Sequence, residues 1–329
     1  MKILITQALP DSALAPLRER YSIEVGSQSQ PMSREALLEH VREIDGMIPT
    51  IADRIDASLL DAAIRLKIIA NYGVGYNHID VDAATERGIL VTNTPDVLTD
   101  ATAELAFALL LATARRIVEG DHRMRSGQFR YWAPLDFLGT EVSGKTLGIV
   151  GFGRIGQAMA KRAKAFDMRL LCTTRSPIDP SIGREYGITR VELESLLAQS
   201  DFISLHVPLT PETVHRIGSA EFARMKPSAI LINTSRGPVV DETALVEALK
   251  KGTIAAAGLD VYENEPMMAP GLADLDRVVL LPHIGSATTE TRTRMAKMAV
   301  ANLLEGLGGR IPPNCLNPHA IGRKEQHRR

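Results

Sequence analysis

Three residues stand directly after short apolar stretches that read as strands: Arg236 after AILIN in NTSRG, Glu265 at the close of GLDVYENEP after IAAAGL, and His283 after RVVLLP in PHIGSAT. Their types are complementary, a fixed cation, a carboxylate and a titratable imidazole. In open parallel sheets the carboxyl ends of the strands share one rim, so residues remote in sequence meet there. Such a set suits reduction of a 2-oxo acid by hydride transfer. Arg236 would orient the substrate carboxylate and help to polarise the C2 carbonyl through its fork of donors. His283 would give a proton to the carbonyl oxygen in reduction and take it back in oxidation. An ordinary imidazole, with a pKa of ~6.5, is mostly neutral at pH 7, so a carboxylate such as Glu265 beside it favours the acid form. Blander roles compete with these. A single strand-end histidine is commonly structural, His206 in SLHVPLT also follows a strand, and an isolated Arg or Glu commonly forms a surface ion pair.

Upstream lies GFGRIG, residues 151 to 156, directly after the apolar run TLGIV and at the start of the helical pattern RIGQAMAKRAKAF. In that context G-x-G-x-x-G is a pyrophosphate site at a helix N-terminus. Gly151 permits the tight turn, Gly153 the close approach of the phosphates, and Gly156 the packing of helix on strand. A fold selective for NAD carries an acid for the ribose hydroxyls about 20 residues further on, at the end of the second strand. That strand, RLLCT, is followed by Thr174, Arg175 and Ser176 within CTTRSP, with no acid among them. Asp167 precedes the strand and Asp179 lies beyond Pro177. An arginine and two hydroxyls can hold the 2′-phosphate of NADP, which a carboxylate would repel. NADP(H) is therefore the expected cofactor and NAD(H) a possible one; the competing reading is an exposed turn arginine with dual cofactor use.

These residues need a scaffold, and the rest of the chain supplies it. Short apolar runs alternate with helical patterns: ILIT (3 to 6), a helix opened by Ser33, GMIP (46 to 49) and KIIA (67 to 70) form one set. TLGIV, RLLCT, DFISL, AILIN, IAAAGL and RVVLL, between 146 and 281, form another. The alternation predicts an α/β protein with two doubly wound parallel-sheet domains. Between the sets, residues 99 to 117 read as a buried helix leaving the first domain, and 286 to 307 as a helix returning to it. The expected division is 1–98 with 287–329 against 99–286. A length of 329 residues agrees with two domains. With 38 Lys and Arg against 39 Asp and Glu, no global field draws the protein to nucleic acid or an anionic membrane. Two cysteines, Cys172 and Cys315, are too few for a disulfide framework or a cysteine-rich metal site, and no metal is expected. The longest apolar run, AFALLLATA, falls well short of the ~20 residues of a membrane span, and the N-terminus lacks the apolar region of a signal peptide, so the cytoplasm is the expected location. The basic tail GRKEQHRR reads as disordered.

Across nearly its whole length the chain resembles the D-isomer-specific 2-hydroxyacid dehydrogenase family, most closely its glyoxylate/hydroxypyruvate reductase branch. The resemblance is carried by NYGVGYNHID (71 to 80), NTPDVLTDATAELAFALLL (93 to 111), GKTLGIVGFGRIGQAMAKRAKAF (144 to 166), SDFISLHVPLTPET (200 to 213), LINTSRGPVVDETAL (231 to 245), AAAGLDVYENEP (255 to 266) and LPHIGSAT (281 to 288). It implies a flavodoxin-like substrate domain, a Rossmann dinucleotide-binding domain and a homodimer. It also implies catalytic roles for Arg236, Glu265 and His283. The backbone amides of Val74 and Gly75 would hold the substrate carboxylate, and Asp260 would bind the nicotinamide carboxamide. Further cofactor contacts are expected at Arg154, Ile155, Val207, Pro208, Thr213, Thr234, Ser235, His283 and Gly285. The chain ends near 329 without the regulatory domain of many phosphoglycerate dehydrogenases, and Glu265 stands where formate dehydrogenases have glutamine; both favour a small 2-oxo acid as the partner molecule. Trp132, in RYWAPLDFLG, either reaches toward a partner subunit's substrate or anchors the dimer. Some relatives with these residues are nucleotide-sensing corepressors, which is the alternative function.

Overall fold

The computed structural model describes residues 1–322, so the basic tail beyond Gly322 lies outside the described residues. The chain divides into two compact units, Met1–Leu98 with the chain from Ser286 onward, and Thr99–Gly285.

The first unit contains β1 (Lys2–Ile5), β2 (Ser22–Val25), β3 (Gly46–Ile48), β4 (Ile68–Ala70) and β5 (Leu90–Thr92). All pair in parallel in the order β2-β1-β3-β4-β5, the flavodoxin-like order. Helices cover both faces, so β3, β4 and β5 are buried throughout and read as unbroken apolar runs. The edge strand β2, SIEV, is half exposed and polar at alternate positions, which hides it from a search for apolar runs. Ser33 caps helix Arg34–His40 by accepting from the amide of Ala36 at 3.2 Å. The 19-residue helix Thr289–Leu307 packs on β3 and β4. Glycine permits that approach: a β-carbon on Gly46 would lie 2.9 Å from Leu303 Cδ1, and one on Gly306 2.4 Å from Ile68 Cδ1. The outer edge of β5 is paired by a late segment, with an antiparallel bridge from Thr92 to Cys315 and a bond from the Leu316 amide to the Val91 carbonyl at 2.8 Å. An unpaired edge there would invite association.

The second unit contains β6 (Thr146–Val150), β7 (Arg169–Thr173), β8 (Ile188–Arg190), β9 (Phe202–Leu205), β10 (Ile230–Asn233), β11 (Ala256–Leu259) and β12 (Val278–Leu280). They pair in parallel in the order β12-β11-β10-β9-β6-β7-β8. This is the Rossmann order with one further strand, and the order reverses between β6 and β9. Helix Thr99–Ala114 packs on β10 and β11, where a β-carbon on Gly258 would meet Leu109 Cγ at 2.7 Å. The helix expected over 99 to 117 stops at Ala114, and a second one runs over Ile117–Arg125. Arg116 between them adopts φ 55°, forks onto Glu119 at 2.8 and 2.5 Å, and lies 4.1 Å from the centre of the Phe137 ring. No helix among the described residues is long and apolar enough to cross a membrane.

Candidate active site

The phosphate loop leaves β6 at the point where the strand order reverses. Gly151 has φ 94°, and a β-carbon there would lie 2.6 Å from the His206 carbonyl oxygen at the end of β9. Gly156 faces the Gly151 carbonyl oxygen, which its β-carbon would meet at 2.2 Å, so the helix starting at Arg154 seats directly on the turn. Among the described residues, nothing outside the adjoining chain lies within 4 Å of where a β-carbon on Gly153 would be. Two of the three glycines thus answer to packing and one to open space at a helix N-terminus, where anions are favoured.

Arg236, Glu265 and His283 follow β10, β11 and β12 in the same unit. His283 Nδ1 lies 2.9 Å from Glu265 Oε2, and Glu265 Oε1 accepts from the Tyr262 amide at 3.1 Å. Burial raises the Glu265 carboxyl, but the hydrogen bond and charge of His283, the Tyr262 amide and the charge of Arg236 together bring it below its usual value. Burial lowers Arg236, and Glu265 counters that shift. The Arg236 loop is built by Asn233, which is buried. Its Oδ1 accepts from the amide and hydroxyl of Ser235 at 3.0 and 2.8 Å, and its Nδ2 donates to the Arg236 carbonyl at 3.0 Å. Gly237 is required next, since a β-carbon would lie 1.8 Å from the Tyr262 carbonyl group.

His283 itself has φ 53°, a left-handed backbone that non-glycine residues disfavour. The buried carboxylate of Asp260 holds the following turn, accepting from the amides of Ile284 at 2.7 Å and Gly285 at 2.8 Å. Both oxygens of the aspartate expected to bind the nicotinamide carboxamide therefore fix the turn that carries the imidazole. Buried Glu242 does the same for the Glu265 loop, accepting from the amides of Glu263 at 2.6 Å and Ala269 at 2.9 Å. Asn233 and Glu242 were not singled out from the sequence; their signal, a polar residue at a strand end or helix start, is shared with many residues that do nothing similar. The rival His206 has its titration lowered to about 4 by burial and lies 2.9 Å from the Ser204 hydroxyl, so it stays neutral and is no acid at physiological pH.

The match to the family model for D-isomer specific 2-hydroxyacid dehydrogenase, NAD binding domain, runs over residues 107–285. A glyoxylate reductase of Thermococcus litoralis is 54% identical over 324 residues, covering 97% of this chain and 98% of that protein. The chain belongs to the D-isomer specific 2-hydroxyacid dehydrogenases. As such a dehydrogenase it is an NAD(P)-dependent oxidoreductase, and the matched residues fall within the Thr99–Gly285 unit. Solved relatives include a glyoxylate reductase from Paecilomyes thermophila, 34% identical with a TM-score of 0.86, covering 96% of this chain and 98% of that one. Another is the NADPH-dependent glyoxylate/hydroxypyruvate reductase of Sinorhizobium meliloti in complex with NADP and malonate, 33% identical with a TM-score of 0.83 and 97% coverage of each chain.

The residues of this dehydrogenase fit a nicotinamide dinucleotide. Gly153 leaves room for the pyrophosphate, and after β10 the Thr234 hydroxyl is buried without a hydrogen-bond partner among the described residues. After β7, Arg175 and Ser176 are exposed and Thr174 is half-buried. Asp179 caps helix Pro180–Tyr186, accepting from the Ser181 amide at 2.7 Å and the Ser181 hydroxyl at 2.5 Å, so its carboxylate is engaged in the cap. Arg190, the last residue of β8, donates to the Thr174 carbonyl from Nε at 3.2 Å and Nη2 at 3.0 Å. It brings a second guanidinium beside CTTRSP and escaped the sequence reading because β8 is a three-residue polar edge. Val207 and Pro208 open the loop after β9, and the Thr213 hydroxyl closes it by donating to the Pro208 carbonyl at 2.7 Å. Val74 and Gly75 lie in the other unit, on the loop after β4.

Proposed function

We propose that the chain is an NADPH-preferring reductase of small 2-oxo acids, with glyoxylate or hydroxypyruvate as its substrate class, yielding D-2-hydroxy acids. The observation that carries this reading is the His283–Glu265 pair at 2.9 Å on the same rim as Arg236. The names of the relatives from Thermococcus litoralis and Sinorhizobium meliloti support the substrate class.

When bound, the reduced nicotinamide supplies the hydride for C2. Ionised Glu265 holds His283 through Nδ1, which leaves Nε2 to donate the proton to the C2 oxygen. Arg236 draws the substrate carboxylate and stabilises the charge that grows on the carbonyl oxygen. The amides of Val74 and Gly75 are read as donors to a substrate carboxylate. The first unit is accordingly read as the substrate-binding domain and the second as the dinucleotide-binding domain. Thr174, Arg175 and Ser176 take the 2′-phosphate, a reading supported by the capping role of Asp179 and by Arg190 alongside. Phe129, Tyr131, Trp132, Leu135 and Leu138, exposed by between 49% and 83%, support a homodimer covering that segment.

The test is a panel of small 2-oxo acids run with NADPH and with NADH, following the reduced-nicotinamide absorbance. Fastest turnover of glyoxylate or hydroxypyruvate with NADPH is the expected result. Tight NADPH binding with no turnover across the panel would overturn it in favour of a nucleotide sensor.

A further inference from the structure

The loop Gly73–Gly75 follows β4, and every one of its carbonyls is taken. The Gly73 carbonyl accepts from Asn71 Nδ2 at 3.0 Å and from the Thr94 amide at 3.0 Å. The Val74 carbonyl accepts from Asn93 Nδ2 at 2.9 Å, and the Gly75 carbonyl from Asn71 Nδ2 at 3.0 Å. In a trans peptide the C=O and N–H point in opposite directions. The Val74 amide shares its peptide plane with the Gly73 carbonyl, and the Gly75 amide with the Val74 carbonyl. Fastening those two carbonyls to Asn71 and Asn93 therefore turns each amide away from the asparagine that holds its peptide. Among the described residues neither amide donates to a protein acceptor.

The two asparagines occupy equivalent places: Asn71 is the first residue after β4 and Asn93 the first after its neighbour β5, and both are buried. Each is held from behind. Asn71 Oδ1 lies 3.1 Å from His78 Nε2, and the Asn93 carbonyl accepts from Asn302 Nδ2 at 3.1 Å. Asn302 in turn accepts from Asn314 Nδ2 at 3.3 Å, whose own carbonyl takes the Asn93 amide at 3.3 Å. Side-chain amides suit this task because they carry donors without charge, leaving the site's positive potential to the backbone.

We infer that Asn71 and Asn93 are positioning residues for substrate: they orient the Val74 and Gly75 amides as a two-donor clamp for a carboxylate, with Asn302 and Asn314 bracing it from the returning chain. This rests on the reading that those amides hold the substrate carboxylate. Asn71→Asp and Asn93→Asp keep the shape but replace a donor by an acceptor facing a carbonyl, so the peptide plane turns. The expected result for each, with NADPH and glyoxylate, is a KM raised roughly 10- to 100-fold and a smaller change in kcat, as for a misplaced positioning group. NADPH affinity by nucleotide fluorescence quenching, which reports on the other unit, and the melting temperature are measured alongside. An unchanged KM in both variants, or losses in kcat, NADPH affinity and melting temperature that parallel the rise in KM, would overturn the inference. Val74→Pro and Gly75→Pro, which delete the donors themselves, separate the two levels. If they raise KM and the asparagine variants do not, only the positioning role fails; if they too leave KM unchanged, the carboxylate reading fails with it.

Discussion

The two units solve the problem of presenting groups at strand ends in opposite ways. After β10, β11 and β12 the groups proposed for the chemistry are side chains, and the backbone around them is fixed by Asn233, Asp260 and Glu242. After β4 the groups proposed to meet substrate are backbone amides, and Asn71 and Asn93 hold the carbonyls of the same peptides. The difference follows from what each end must supply. Proton transfer needs a titratable group with a paired carboxylate, whereas orienting an anion needs only fixed dipoles. Side-chain sites can be read by residue type; a backbone site is visible only through what holds it.

The comparison breaks most visibly at His283. His283→Ala should lower kcat by roughly 100- to 10,000-fold, while the melting temperature stays close to that of the parent. A modest loss expressed only in KM would place the second unit's chemistry on the same footing as the first unit's clamp. A smaller effect is expected from Arg175→Ala, since hydrogen bonds to a charged group are worth ~1.5 to 3 kcal/mol, or a roughly 10- to 150-fold preference. That loss should fall on NADPH and spare NADH, and Thr174→Asp should move the preference toward NADH. Equal losses with both cofactors would leave CTTRSP as an ordinary turn.

The smallest effect concerns acid stability, and it sharpens the contrast within the second unit between an imidazole that works and one that packs. Burial lowers His206 from 6.5 to about 4. The unfolded chain therefore binds a proton that the folded chain resists, and stability rises with pH over that interval. The contribution is complete above 6.5 and is lost as pH falls toward 4. Melting temperatures between pH 7 and pH 4.5 should decline less steeply in His206→Gln than in the parent; identical slopes would show that His206 is not buried as a neutral group.

Much of the fold was legible because central strands in a parallel sheet are apolar throughout: ILI, GMI, IIA, TLGIV and ILIN announce themselves. The strands that escaped were β2 and β8, edge strands with polar exposed residues, and the short buried β5, LVT. The break at Arg116 escaped for a different reason, since a left-handed arginine braced by Glu119 and Phe137 leaves no mark on helical periodicity.

The sequence by itself determined the α/β class, the glycine turn after the first strand of the second set, and the three strand-end residues Arg236, Glu265 and His283. Those depend on residue type and on order along the chain, which sequence carries directly. Only the tertiary structure decided that Glu265 and His283 are paired, that Asp260 braces the histidine's turn, that Arg190 stands beside Thr174, and that Asn71 and Asn93 hold the carbonyls of the Gly73–Gly75 loop while Asn302 holds the Asn93 carbonyl. The physical reason is that a hydrogen bond's partner and direction depend on where remote segments arrive in space, and no local pattern encodes that arrival.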